Sequence, residues 1–279
     1  GMRWLEGLAG RKSGGGWYDW LQTTPQTFVE QGRQAVLAGA KESMLCCYGG
    51  LIHDKVSMPC CYDGVKENTG PENTLAIRRA IPELLKVSQE VQRRRAIGLA
   101  AYFNPAGSGR GDHAIFDSVG TLGIPLVPCH QFPQEAPAAF FSMHILAEPD
   151  WRNKLLAFVA TGRPVLMTHT LSKAVSADMG GNQVNVSVLP ADVNTKSVWS
   201  VPAHVADGTR APLLKAFALS LECPSGVAFY PFHDGSWVLE NFTNKPIVAR
   251  LNGQNVEIAA REWRYLWQRS RGAELTTLG

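Results

Sequence analysis

Between Ala96 and Lys173 the chain repeats one pattern, in which a short apolar run is followed by a turn and a stretch of helical periodicity. The segments are AIGLAAYFNP, then DHAIFDSVGTLGIPLVPC, then PAAFFSMHILAEPDWRNKLLAFVATGRPVLMTHTLSK. Asp112 stands where a cap would open a helix with Ile115, Phe116, Val119 and Leu122 inward and Gly123 as its stop. Pro149 opens a second helix, with Trp151, Leu155, Phe158 and Val159 inward and Gly162 beyond its end. The runs they feed, Ile124 to Val127 and Pro164 to Met167, are short and apolar like strands buried on both faces. Strands alternating with helices predict a parallel sheet with helices packed on it. Open sheets of this kind bind ligands beyond the carboxyl ends of their strands. Asn104, Cys129, His130, His144 and His169 stand at those ends and form the candidate binding site.

Before this block, Thr24 and Pro25 form a start signal for a helix that should stop near Gly39 and lead into a strand from Ser43 to Tyr48. Residues 52–70 hold two Cys-Cys steps and little periodicity, and read as a long irregular loop. A helix then begins at Gly70, with Ala76, Ala80, Leu84, Val87 and Val91 on one face. Pro82 is expected to kink it, and Arg93, Arg94 and Arg95 close it in the place that suits the helix dipole. After Lys173 the pattern predicts a strand from Val184 to Leu189 and a helix from Thr209 to Leu221. From Val227 the apolar period becomes two, with Asn252-Gly253 as a hairpin turn and Trp263, Tyr265 and Trp267 on alternating positions. The expected division is an αβ extension over 1–94, a parallel α/β domain over 95–225 and a small antiparallel β domain over 226–279.

Composition narrows the function classes. The 279 residues are 45% hydrophobic and 18% charged, with a net charge of +3, which describes a globular chain and gives no basic footprint for nucleic acid. The six cysteines include the adjacent pairs Cys46/Cys47 and Cys60/Cys61, and none follows C-x-x-C spacing. Reduced thiols, no metal and no cofactor are expected. No window approaches the roughly 18 apolar residues of a membrane span, and the amino terminus lacks a signal-type apolar core. A cytoplasmic location is the default expectation, although a parent protein could be exported.

The candidate site admits two chemistries. Cys129 and His130 are adjacent on an extended segment and point to opposite faces, which argues against a direct thiolate–imidazole pair. His130, His144 and His169 could converge on a metal or a sugar with support from Asp112 or Glu148, or could be separate histidines bonded to loops. His233-Asp234 reads as turn chemistry. Trp17, Tyr18 and Trp20 could form a sugar platform, or could cover a core or a partner surface.

The run WYDWLQTTPQTFVEQGRQAVLAGAKESMLCCYGGL resembles the last βα turn of a glycoside-hydrolase (β/α)8 barrel. Residues 96–173 resemble the class I glutamine-amidotransferase-like, flavodoxin-like domain that follows such barrels in family 42 β-galactosidases. The tail GVAFYPFHDGSWVLENFTNKPIVARLNGQNVEI resembles the small β domain that ends those enzymes. The resemblance implies a three-layer α/β fold, a trimerisation role for the middle domain, and a homo-oligomer or a missing barrel as partner, with carbohydrate as a candidate ligand. It also implies that the catalytic glutamates lie on barrel strands upstream of the matched segment. Active amidotransferases carry a cysteine on the elbow after a strand like GRPVLMT, where this chain has His169. The expected role is therefore a non-catalytic accessory or oligomerisation region. The competing expectation is a small hydrolase built on Cys129, His130, His144 and His169.

Overall fold

The computed structural model describes residues 12, 15–18, 23–45, 51–52, 69–107, 112, 115–181, 183–191 and 203–269. The chain begins with strand β1 (Gly15–Tyr18), helix α1 (Pro25–Leu37) and strand β2 (Glu42–Leu45), and β1 and β2 pair in parallel across α1. The predicted start of α1 is present as a reciprocal cap. Thr24 Oγ1 accepts from the Thr27 amide at 3.3 Å, and Thr27 Oγ1 accepts from the Thr24 amide at 2.9 Å. Helix α2 (Gly70–Gln92) follows and runs uninterrupted past Pro82. It buries Ile77, Leu84, Val87 and Val91 in one core with Phe28, Val36 and Leu37 of α1. The adjacent cysteine pairs and most of the loop around them lie outside the described residues.

Five strands form the central sheet: β3 (Leu99–Tyr102), β4 (Leu126–Cys129), β5 (Ala139–Phe141), β6 (Val165–Met167) and β7 (Val186–Val188). All neighbours are parallel, in the order β4-β3-β5-β6-β7. Counted from the first strand of the sheet this is 2-1-3-4-5, the flavodoxin-like order, whose switch point lies between β3 and β5. Helices α3 (Ile115–Gly120), α4 (Trp151–Ala160) and α5 (His169–Ala174) lie between the strands in sequence, and α6 (Ala203–Lys215) comes after them. Side-chain alternation sorts the faces. Leu99, Ala101, Phe140 and Leu166 pack with Ile115 and Val119 of α3 and Leu213 of α6. Tyr102, Ala139, Phe141, Val165 and Met167 pack with Leu155 and Phe158 of α4 and Leu171 of α5. The result is the expected three-layer α/β arrangement with a parallel sheet.

One local expectation changes. Helix α6 ends at Lys215, not at Leu221, because Ala218 takes a left-handed conformation (φ 56°) and Leu221 is drawn into strand β8 (Leu221–Glu222). Asp112 is fully buried, and its Oδ2 accepts from the Met143 amide and the Thr168 hydroxyl, each at 2.8 Å.

The tail forms two small antiparallel sheets. Strands β9 (Val227–Pro231), β10 (Trp237–Asn241) and β13 (Trp263–Leu266) make one, in the order β13-β10-β9. Strands β11 (Ile247–Leu251) and β12 (Gln254–Ile258) make the other with β8. The Asn252-Gly253 turn has both residues at positive φ, 48° and 83°, as a type I′ hairpin needs. Phe229 and Leu239 face the second sheet and Leu214 of α6. Phe232, Val238 and Trp263 face the other way, into the core of α1 and α2, with Tyr265 and Trp267 packed beside them. No helix among the described residues is long and apolar enough to cross a membrane.

Polar groups line this last seam. Arg33 is buried, lies over the Trp263 ring at 5.0 Å, and donates to the Arg261 carbonyl at 2.7 Å and to Glu262 at 2.5 Å. Glu240 of β10 is fully buried and accepts from Gln34, while its Oε1 has no partner. Desolvation pushes the Glu240 carboxyl up to about 8; Arg33 opposes this, and Glu30 and Glu262 add to it. The native chain therefore keeps a proton that the unfolded chain releases near 4.5. This contribution to stability is complete below about pH 4.5 and is lost as the pH rises towards 8. Glu240→Gln is expected to remove that dependence: thermal melts should show the variant gaining on the native protein between pH 5 and pH 8, and a constant difference would contradict the assignment.

Candidate functional site

The strand ends are ordered by the sheet. His130 follows β4, Asn104 follows β3, His144 follows β5 and His169 follows β6, so Asn104 and His144 flank the switch point and β3 separates His130 from His144. Among the described residues, no group of three or more His, Cys, Asp or Glu is placed to hold a metal ion.

Asn104 is engaged on every side. Its Oδ1 accepts from the Ala106 amide at 2.9 Å, closing a tight turn, and its Nδ2 donates to the Ala147 carbonyl at 3.1 Å and to the Tyr102 hydroxyl at 3.3 Å. Tyr102 in turn donates to Glu148, which also accepts from Lys154. Burial alone would raise the Glu148 carboxyl, but the hydrogen bonds from Lys154 and Tyr102 outweigh it and hold it below the usual range. Burial raises the Tyr102 phenol, and its bond to Glu148 adds to that. The network ties the loop after β3 to the 3-10 turn Met143–Ala147 and to α4.

His144 is buried, with its ring 4.1 Å from that of Phe103 and 6.2 Å from that of Phe116. Gly107 approaches it so closely that a Cβ there would lie 3.3 Å from His144 Nδ1. The loop after β3 thus covers the switch point, and His144 sits under it.

Asp112 and Thr168 build the next connection. Thr168 caps α5, its Oγ1 accepting from the Leu171 amide at 3.1 Å while donating to Asp112. One hydroxyl therefore joins the end of β6 to the segment after β3. His169, at the expected nucleophile position, is the first residue of α5 and is not among the described residues with positive φ. The strained strand-to-helix elbow on which a nucleophile is presented is not formed at this turn.

Cys129 is partly buried and packs against the core on the α4 side of the sheet, and desolvation pushes its thiol up to about 12. A thiol in that state is a poor nucleophile at neutral pH. His130 is half-buried, and its Nδ1 has no hydrogen-bond partner. The five expected residues thus share one edge, but the bonds found there join Asn104 to Tyr102 and Asp112 to Thr168. Tyr102, Glu148, Lys154 and Thr168 carry these networks, and no periodicity or spacing marks them in the sequence. His233 and Asp234 do form a turn, in which Asp234 accepts from the Ser236 amide at 3.0 Å, and Asp234 also binds Arg94 at 2.7 Å.

Comparison with known proteins agrees with the fold. Residues 1–67 match the family described as probable glycosyl hydrolase, catalytic domain. The chain is similar in structure to the apo exo-carrageenase GH42 from Bacteroides ovatus, with a TM-score of 0.52 and 10% identity over 95% of this chain and 43% of that chain. It therefore spans less than half the length of that enzyme, and at this identity the structural likeness speaks for the fold alone. No curated protein matches the sequence. The catalytic-domain match ends before α2 begins, so the five-stranded sheet and the terminal β sheets lie beyond it.

Two measurements check the bonds described. Thr168→Val removes both the α5 cap and the donor to Asp112, and should cost about 1–2 kcal/mol in urea unfolding. Peptide mapping after brief alkylation at pH 8 should find Cys129 and Cys223, whose thiols burial pushes up to about 12 and about 11, far less modified in the native than in the unfolded chain.

Proposed function

We propose that this family 42-like glycoside hydrolase region is a non-catalytic accessory and assembly portion of an enzyme whose bond-cleaving carboxylates lie in a barrel outside this chain. The observation that carries the reading is the extent of the catalytic-domain match, which stops at residue 67 and leaves the parallel sheet beyond it. The chemistry of the strand ends supports it. A retaining glycosidase needs two carboxyl groups about 5 Å apart on either side of the sugar bond. Of the acids near this edge, Glu148 is bound by Tyr102 and Lys154, and Asp112 is fully buried against Met143 and Thr168. Glu30 and Glu240 are buried in the seam between α1 and the terminal sheet.

On this reading the middle sheet acts as a rigid spacer between the end of a barrel and neighbouring subunits, and the strand-end histidines are a secondary place for a sugar to touch. The relative named above is an exo-carrageenase, which makes galactose-based polysaccharide a reasonable substrate class for the complete enzyme. The purified chain should release no product from nitrophenyl β-galactoside or carrageenan oligosaccharides above the buffer rate. Turnover that disappears in Cys129→Ala or His144→Ala would overturn the proposal and favour the small-hydrolase reading.

A further inference from the structure

The terminal sheet of β9, β10 and β13 faces two cores, one shared with α1 and α2 and the other with α6 and the second small sheet. Glu240 of β10 pairs with Trp263 of β13 and stands next but one to Val238, so its side chain leaves the sheet on the α1 face, where Val238 and Trp263 are buried. It meets a charged cluster there. Helix α1 supplies Glu30 and Arg33, and the turn before β13 supplies Arg261 and Glu262. On the same face Glu83 of α2 accepts from the Tyr265 hydroxyl at 3.0 Å.

Counting charges singles out Glu240. Arg33 is bound to Glu262 at 2.5 Å and Arg261 to Glu30 at 3.2 Å, so each cation already faces a carboxylate. Glu240 is the third carboxyl beside two guanidinium groups. Its Oε2 accepts from the neutral Gln34 amide, and its Oε1 is buried without a partner. Gln34 is held in that orientation by β9, since its own Oε1 accepts from the Tyr230 hydroxyl at 3.0 Å. An ionised Glu240 would place an unanswered negative charge out of water, whereas a protonated one carries no charge to answer.

We infer that Glu240 is a proton-operated latch, which in its protonated form lets the terminal sheet close on α1 and in its ionised form loosens that seam while the middle sheet stays folded. The latch is independent of the proposed accessory role. The middle sheet has separate cores on its two faces, and the far side of the terminal sheet has a third, so the seam can loosen without exposing them. Desolvation, which pushes the Glu240 carboxyl up to about 8, sets the working range. The closed seam keeps the proton and the opened seam releases it near 4.5, so the opening constant rises about tenfold per pH unit from about pH 5 and levels off above 8.

Hydrogen exchange of the whole chain, followed by mass spectrometry from pH 5 to pH 9 and corrected for intrinsic rates, tests the latch. Protection of peptides from α1 and β10 should fall at least tenfold between pH 6 and pH 8, and should stay below that of peptides from β5 and β6. In Glu240→Gln the protection of α1 and β10 should hold constant over that range. Glu262→Gln, at an exposed side chain, removes the charge that Arg33 answers and leaves Arg33 to compensate Glu240. In that variant the fall should be smaller and should level off at lower pH. Equal slopes in the native chain and in either variant overturn the latch. Exchange of α1 and β10 in step with β5 and β6 also overturns it, because the seam would then open only when the whole chain unfolds.

Discussion

The guanidinium of Arg94 sits buried at the end of α2 and is held by three separate parts of the chain. It donates to the Glu90 carbonyl at 3.0 Å, to Asp234 at 2.7 Å, to Ser236 Oγ at 2.9 Å and to the Gln268 carbonyl at 2.8 Å, and it lies over the Trp267 ring. A charge removed from water is tolerated only when its donors are met, and breaking such a set costs several kcal/mol. Arg210 is buried under the same constraint, and Arg33 is buried with two of its guanidinium nitrogens bonded and Nε left without a partner. Arg33 reaches the 261–262 turn from α1, and Arg210 reaches the carbonyls of Leu122, Leu221 and Cys223 from α6. Each guanidinium joins segments far apart in sequence, so the beginning, the middle sheet and the tail have to be positioned together.

The same economy appears at the carboxyl edge of the parallel sheet. A flavodoxin-like order leaves a crevice where the connections diverge, and such crevices commonly receive ligands. Here the loop after β3 covers it, with Phe103 against His144 and Asn104 closing its own turn. Two hydrogen-bond networks, Asn104–Tyr102–Glu148–Lys154 and Asp112–Thr168, tie this edge together.

Much of the middle domain was legible in the sequence because its signals are local. The runs around Leu99, Leu126 and Val165 are short, apolar and bounded by Gly or Pro, and each became a strand, the first and last largely buried and the one at Leu126 half-buried at the sheet edge. The alternation of Trp263, Tyr265 and Trp267 identified one face of the last strand and its extension, though not what that face would meet. Asp112 read as a cap by its position, and no spacing shows that its Oδ2 accepts from Met143 and Thr168. Arg94 read as a dipole-matching terminal residue, and only the arrival of Asp234, Ser236 and Gln268 turned it inward.

By itself the sequence determined the periodicities, and with them the parallel sheet, the helices on its two faces and the antiparallel tail. These follow from which residues shun water at spacings of two or of three to four, a property each segment carries alone. Tertiary structure decided which groups at the strand ends are bonded to one another and that the tail packs on α1 and α2. Those outcomes depend on desolvation and hydrogen bonding between residues distant in the chain, and nothing in the local pattern encodes who the partner will be.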